Sequence, residues 1–317
     1  MSLAEVYIML TMECAAKCRV CPYWGLNGAC KDKKFRSRYC QSQLTLPEIK
    51  KFIDQVSVYN PRMITISGGE PLDSDIWLDV ASYAKKKGLK VSLSTNGLNL
   101  NKFYTEVFEY VDNIQVSLGG TRDIIAEVRY PGIDYDRIIQ NLMTISLIKQ
   151  RKSQAKPYLR LIYVISEISY LKLVKFYNNF SKIVDDIYFQ HLIYTDKQTI
   201  QEHAKFINNY PLYFQGFEHH PAQINIKFLA EQIQQLKTFK KARVCPELSR
   251  QELIQYYNPR QKYKIKRNCV NFMRQVDLYP NGELMTCPDI VLGNIKQKPF
   301  DEIWFGPTAK YWSKIRQ

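Results

Sequence analysis

Strand-like and helix-like segments alternate through the first two thirds of the chain, and this alternation limits the fold more than any other feature. Six short segments, rich in β-branched and aromatic residues, read as strands: 6–12, 63–67, 90–94, 113–118, 158–166 and 186–193. They are mostly continuous apolar runs, as strands covered on both faces tend to be. Helices are expected between them near 47–58, 75–87, 101–110, 134–150 and 170–182. The first opens with Thr45-Leu46-Pro47-Glu48, a capping box with proline in the first turn. In the last, Leu171, Val174, Tyr177 and Phe180 recur every third residue, predicting one buried face. Strand–helix units in series form a parallel sheet with right-handed crossovers. Six of them predict an α/β fold of open, partial (β/α)6 barrel type, with ligands at the C-terminal strand ends. The pattern changes after residue 195. A helix is expected at 225–240, and "VDLYPNGELMTC" (276–287) reads as a hairpin turning at Asn281-Gly282. The expected division is 1–195 for the barrel, 196–244 for a connecting helical region and 245–317 for a small C-terminal extension.

The 317 residues suffice for a full core. No apolar run approaches the roughly 20 residues needed to cross a bilayer, and "VYIML" (6–10) is too short for a signal-peptide core. A cytoplasmic protein is expected, whose eight cysteines are reduced, buried or metal-bound rather than disulfide-paired. The net charge of +15 is uneven. Lys and Arg number 19 against 16 Asp and Glu in residues 1–150, but 26 against 14 in 151–317. "RQKYKIKR" (260–267) holds five basic residues in eight. Such a run is either a solvated face or an attraction for an anionic substrate or polyanion.

Three cysteines, Cys14, Cys18 and Cys21, fall within "TMECAAKCRVCPYWG" (11–25). Positions i, i+4 and i+7 could share a helix face, but Pro22, Gly25 and Gly28 favour a loop. Structural zinc needs four protein ligands, and no nearby His or Cys completes a zinc-finger spacing. A four-iron cluster also usually takes four thiolates. Three thiolates leave one iron open to an external ligand, as a catalytic site requires.

CxxxCxxC just after the first strand resembles the radical S-adenosylmethionine (radical SAM) superfamily. Further motifs follow in matching order at successive strand ends: "GGEP" (68–71), "STNG" (94–97), "VSLGG" (116–120) and "VRYPGIDYDRIIQNL" (128–142). The resemblance implies a [4Fe–4S] cluster on Cys14, Cys18 and Cys21, with S-adenosylmethionine on the fourth iron. It also implies that Gly68 and Gly69 let backbone approach that ligand and that Glu70 accepts from the methionine ammonium. Asn96 would make a polar contact, Ser117 would bond the ribose, and Arg129 would reach the methionine carboxylate. Val164 and Ile165 would line the adenine. Val20 stands where relatives often carry an aromatic residue, which shifts that contact to a neighbour such as Tyr23. Gly119 replaces an acidic residue common after "SL".

The spacing of Cys269, Gly282 and Cys287 is CX12GX4C, similar to the start of a SPASM or Twitch extension, and "LGNIKQKPFDEIW" (292–304) resembles the segment that follows. No CxxC comes after Cys287. One auxiliary iron–sulfur cluster on Cys245, Cys269 and Cys287 is expected, the alternative being a cluster-free extension. Cys30 and Cys40 are assigned to packing. The implied reaction is reductive cleavage of S-adenosylmethionine to a 5′-deoxyadenosyl radical that abstracts hydrogen. The electron donor would be a flavodoxin or ferredoxin, and the substrate an anionic small molecule or acidic peptide. Modification of a ribosomally made peptide is the alternative; relatives of that kind often begin with a leader-binding domain, for which about five residues before the first strand leave no room. A non-enzymatic iron–sulfur or zinc protein binding nucleic acid is the rival from another class, and it gives "GGEP" and "STNG" no role.

Overall fold

The computed structural model describes residues 3–41, 43–129, 133–193, 195–207, 213–218, 224–258, 274–287 and 289–316. Cys269 and the basic run 260–267 lie outside the described residues.

One sheet of ten strands organises the chain, in the order β10-β9-β8-β1-β2-β3-β4-β5-β6-β7. Strands β1 (Glu5–Met9), β2 (Met63–Ser67), β3 (Val91–Thr95), β4 (Asn113–Ser117), β5 (Tyr158–Ile165) and β6 (Asp186–His191) are the six expected ones. They pair in parallel, each with the next. A seventh strand, β7 (Ala242–Cys245), extends the parallel sheet beyond β6. It was not foreseen, because "ARVC" is only four residues long and is interrupted by Arg243. On the other edge β8 (Gln275–Leu278) pairs parallel to β1, and β9 (Glu283–Cys287) and β10 (Ile290–Asn294) continue antiparallel from it. The expected hairpin is therefore part of the barrel's own sheet.

Strand alternation sorts the two faces. Val6, Ile8, Ile64, Ile66, Val91, Leu93, Ile114 and Val116 are fully buried beneath the helices. Tyr7, Thr65, Ser92, Gln115, Arg160 and Tyr188 point the other way. These polar residues interact across the sheet: Arg160 on β5 lowers the pKa of Tyr7 on β1, and Tyr7 raises that of Tyr188 on β6. Such reach between strands four and five places apart requires the sheet to roll into a partial barrel around a polar interior.

The capping box at Thr45 forms as expected, and the helix Leu46–Ser57 buries Ile49, Phe52, Ile53 and Val56. On the helix Leu173–Phe180 the buried stripe is Leu173, Phe176 and Phe180, while Leu171 is exposed. A strict three-residue spacing drifts around a 3.6-residue helix, which is why the predicted face was displaced. The segment after β10 returns to helix Leu46–Ser57. The Phe300 ring stands edge-on to Phe52 at 5.9 Å, and its N–H donates to Gln55 Oε1 at 2.9 Å.

Candidate functional site

The loop carrying Cys14, Cys18 and Cys21 leaves the C-terminal end of β1 and is held mainly by backbone. Gly69 N–H donates to Thr11 O at 2.6 Å and Glu70 N–H to Glu13 O at 2.8 Å. Arg19 N–H donates to Val128 O at 2.8 Å, and Gly25 N–H closes a turn on Cys21 O. A Cβ on Gly68 would stand 2.2 Å from Thr11 O, and one on Gly69 2.0 Å from Glu13 O. The close approach that demands these glycines is thus to the cysteine loop, where the sequence reading placed a ligand. Gly68, at φ +134°, also adopts a conformation that other residues rarely do.

The three thiols interact electrostatically, Cys14 with both others and Cys21 with Cys18. Burial pushes Cys14 and Cys21 up to about 11. Among the described residues no three Cys, His, Asp or Glu side chains are already gathered in a metal-binding arrangement. The thiols share a loop rather than a coordination sphere.

Glu70 is 1% exposed, and its carboxylate is held by protein donors. Thr95 Oγ1 and Asn96 N–H each donate at 2.6 Å, and Leu72 N–H at 3.2 Å. Burial raises its pKa to about 7 against the pull of these hydrogen bonds. Glu70 locks the "GGEP" turn onto the "STNG" turn, so an ammonium could claim only its remaining lone pair. Asn96 Oδ1 accepts from Leu98 N–H at 2.8 Å.

Arg129 is 2% exposed, and its Nε and Nη1 have no hydrogen-bond partner among the described residues. Its positive charge acts on Cys21, whose pKa it lowers. Buried guanidinium nitrogens are seldom left unpaired, and a planar cation of this kind suits a carboxylate bidentately. Three thiols with an unsatisfied Arg beside them fit a three-cysteine cluster that binds an amino-acid carboxylate.

The remaining expected residues divide. Ser117 ends β4, exposed on the inner face, and Val164 is half-buried on β5. Ile165 is fully buried in the core under the helices. Neighbouring residues on a strand point to opposite faces, so the expectation that both line adenine fails for Ile165. Val20 is half-buried in the loop. Tyr23 does not replace it: its ring packs 5.1 Å from Tyr213, and its hydroxyl lies 3.2 Å from Tyr279 Oη and 3.5 Å from Met9 Sδ. Gly119 has φ +79°, which accounts for glycine there.

Cys245 ends β7, and its thiol acts on the Tyr188 phenol, helping burial to raise its pKa. Cys287 ends β9 opposite Ile290. The two stand on strands near opposite ends of the strand order. The Cys30 and Cys40 thiols are hydrogen-bonded to each other, which raises the pKa of Cys30 and lowers that of Cys40.

Sequence reasoning missed an aromatic seam that joins the cysteine loop to the C-terminal hairpin. Tyr39 Oη donates to Glu283 Oε2 at 2.8 Å, Arg38 pairs with Glu283 at 2.6 Å, and the Tyr39 and Tyr279 rings stand 5.2 Å apart. Its only signal was the abundance of tyrosine, 22 in the chain.

Residues 8–151 match the radical SAM superfamily, and residues 269–317 match SPASM, an iron–sulfur cluster-binding domain. The chain carries a radical SAM domain followed by a SPASM domain. The first implies a [4Fe–4S] cluster and S-adenosylmethionine, and the second implies auxiliary iron–sulfur clusters. Over 116 residues the chain is 29% identical to an Fe-coproporphyrin III synthase of Methanosarcina barkeri, covering 36% of this chain and 27% of that protein. Over 128 residues it is 30% identical to a probable GTP 3′,8-cyclase of Methanococcus maripaludis, covering 40% and 38%. The matched parts thus span well under half of these relatives. In fold, the radical SAM and SPASM domains together resemble Streptococcus suis SuiB. The structure bound to S-adenosylmethionine gives a TM-score of 0.67 at 14% identity, covering 100% of this chain and 68% of SuiB. The structure bound to the precursor peptide SuiA gives 0.68 at 14%, covering 100% and 67%.

Proposed function

We propose that this chain is a radical SAM enzyme that acts on a substrate held in the polar interior of its barrel. A cluster and S-adenosylmethionine bound here would supply radical chemistry able to take hydrogen from an unactivated carbon of the substrate. The chain's part is to bind, orient and exclude water. Cys14, Cys18 and Cys21 would hold the cluster as thiolates, and loading would release protons, with Cys14 and Cys21 made weakly acidic by burial. Arg129 receives the methionine carboxylate, and the remaining lone pair of Glu70 faces the ammonium. Asn96, Ser117, Val20 and Val164 would be further contacts of S-adenosylmethionine. Cys245, Cys269 and Cys287 are candidate ligands of an auxiliary cluster, and the division at residues 195 and 244 follows the same reading.

The observation that carries this reading is the buried Arg129 guanidinium beside the three-cysteine loop, with Nε and Nη1 lacking a hydrogen-bond partner among the described residues. The net positive charge, concentrated in residues 151–317, favours an anionic molecule or an acidic peptide, and also an acidic electron donor such as a flavodoxin or ferredoxin. The likeness in fold to peptide-bound SuiB supports the peptide among these. Among the described residues no helix is long and apolar enough to cross a membrane.

Equilibrium binding of S-adenosylmethionine to the anaerobically reconstituted protein tests the site. Arg129→Ala is expected to weaken binding roughly 30-fold or more, as loss of a buried charged partner does, with iron content unchanged. Equal affinity in the two proteins would refute the assignment. Absence of S-adenosylmethionine binding, with polyanion affinity that falls steeply with salt, would favour the nucleic-acid rival.

A further inference from the structure

The inner face of the sheet carries charged side chains of both signs, among them Arg160 on β5, Arg243 on β7 and Asp277 on β8. Arg160 is neutralised there: its Nε and Nη2 donate to the two carboxylate oxygens of Asp186 at 2.8 and 2.6 Å. Glu5 pairs with Arg62 at 3.1 Å. Asp277 has no such partner. It lies on β8 beside Tyr7, and its neighbours Val276 and Leu278 are fully buried in the core, so its side chain projects from the opposite, inner face. Among the described residues its carboxylate accepts one hydrogen bond, from Gln275 Nε2 at 2.9 Å, and no Lys, Arg or His forms an ion pair with it.

Its depth connects it to the cysteine loop. Tyr213 feels the charges of both Asp277 and Cys21, and Tyr279 and Tyr7 feel Asp277 as well. Asp277 is half-buried on that inner face and retains accessible surface. Burial pushes its pKa up to about 6. A carboxylate taken from water without a cation is costly, and a ligand that brings the cation removes that cost.

We propose that Asp277 receives a positively charged group of the substrate, an ammonium or guanidinium, inside the barrel on the side of the Cys14–Cys21 loop. This rests on the radical SAM reading of the site and sharpens its substrate class. The net positive charge of residues 151–317 attracts an acidic molecule or segment, while Asp277 selects a cationic group. A molecule carrying both, such as a peptide with an acidic stretch apart from a basic side chain, satisfies the two fields.

Ligand-observed NMR on the reconstituted protein tests this with n-butylguanidinium, n-butylammonium and butyrate at equal concentration. The two cations are expected to bind, and to lose at least fivefold in signal in Asp277→Asn but not in Asp277→Glu or the surface control Asp301→Asn. Butyrate is expected to show no dependence on Asp277. Cation binding unchanged in Asp277→Asn, no cation binding to the wild type, or butyrate binding that depends on Asp277 would each overturn the proposal. S-adenosylmethionine binding, measured on the same samples, separates the two levels. Binding that persists while the cation result fails removes only this inference, whereas its absence removes the radical SAM reading as well.

Discussion

The loop bearing Cys14, Cys18 and Cys21 is tied down on three sides, whereas Cys245 and Cys287 close strands near opposite ends of the strand order. The first region owes its shape to backbone: "GGEP" docks on residues 11–13, Val128 takes the Arg19 N–H, and Arg129 waits beside Cys21 with two unpaired nitrogens. In the second, side chains dominate, through the Tyr23, Tyr39 and Tyr279 seam and the Arg38–Glu283 pair. A loop fixed by backbone keeps its thiols close in the chain and near Arg129, leaving only side-chain rearrangement for metal binding. A site assembled from separate strands depends on the fold to bring its ligands together.

The largest effect that could break this contrast is loss of iron. Replacing Cys14, Cys18 and Cys21 together by Ala is expected to remove about four irons and abolish S-adenosylmethionine binding, while Cys287→Ala leaves both in place. Iron analysis of the reconstituted variants checks this. Loss of S-adenosylmethionine binding in Cys287→Ala would show the two regions to be one functional unit.

A smaller effect is expected from Gly69→Ala, whose Cβ would meet Glu13 O at 2.0 Å. Forcing that contact is expected to cost about 1–3 kcal/mol and to slow iron uptake by displacing the loop. Denaturant unfolding and the rate of reconstitution measure the two consequences. Full stability together with normal uptake would show that the loop tolerates displacement.

The smallest concerns pH. Asp277 holds its proton to about 6, against an ordinary 3.8. The folded state therefore binds more protons than the unfolded state between those values. Stability falls as pH rises from about 4 to about 6 and stays lower above that range. Asp277→Asn is expected to flatten this fall and to be more stable than wild type at pH 7.5 by about 1–3 kcal/mol. Thermal melts across pH 4–8 test it; parallel curves for the two proteins would place a cation beside Asp277 in the free protein.

The six barrel strands were legible because each is a compact β-branched run, and the cysteine loop because its spacing is strict. β7 was not, since four residues ending in Cys245 carry too little pattern to distinguish a strand from a connection. Ile165 was misplaced by reading a strand end as a unit when its neighbours alternate between faces. Gly68 and Gly69 were recognised as points of close approach, but the sequence does not say what approaches. The polar interior was hidden in strands read as continuous. Arg160, Tyr188 and Asp277 stand at every second position, yet the rolling of the sheet that brings them together depends on pairings between distant segments.

The measurement that tests the central claim most directly is reduction of the reconstituted protein with dithionite in the presence of S-adenosylmethionine, assayed for 5′-deoxyadenosine. The wild type is expected to form it, and the protein lacking Cys14, Cys18 and Cys21 to form none. Formation of 5′-deoxyadenosine by that variant, or none by an iron-loaded wild type that also fails to bind S-adenosylmethionine, would contradict the account.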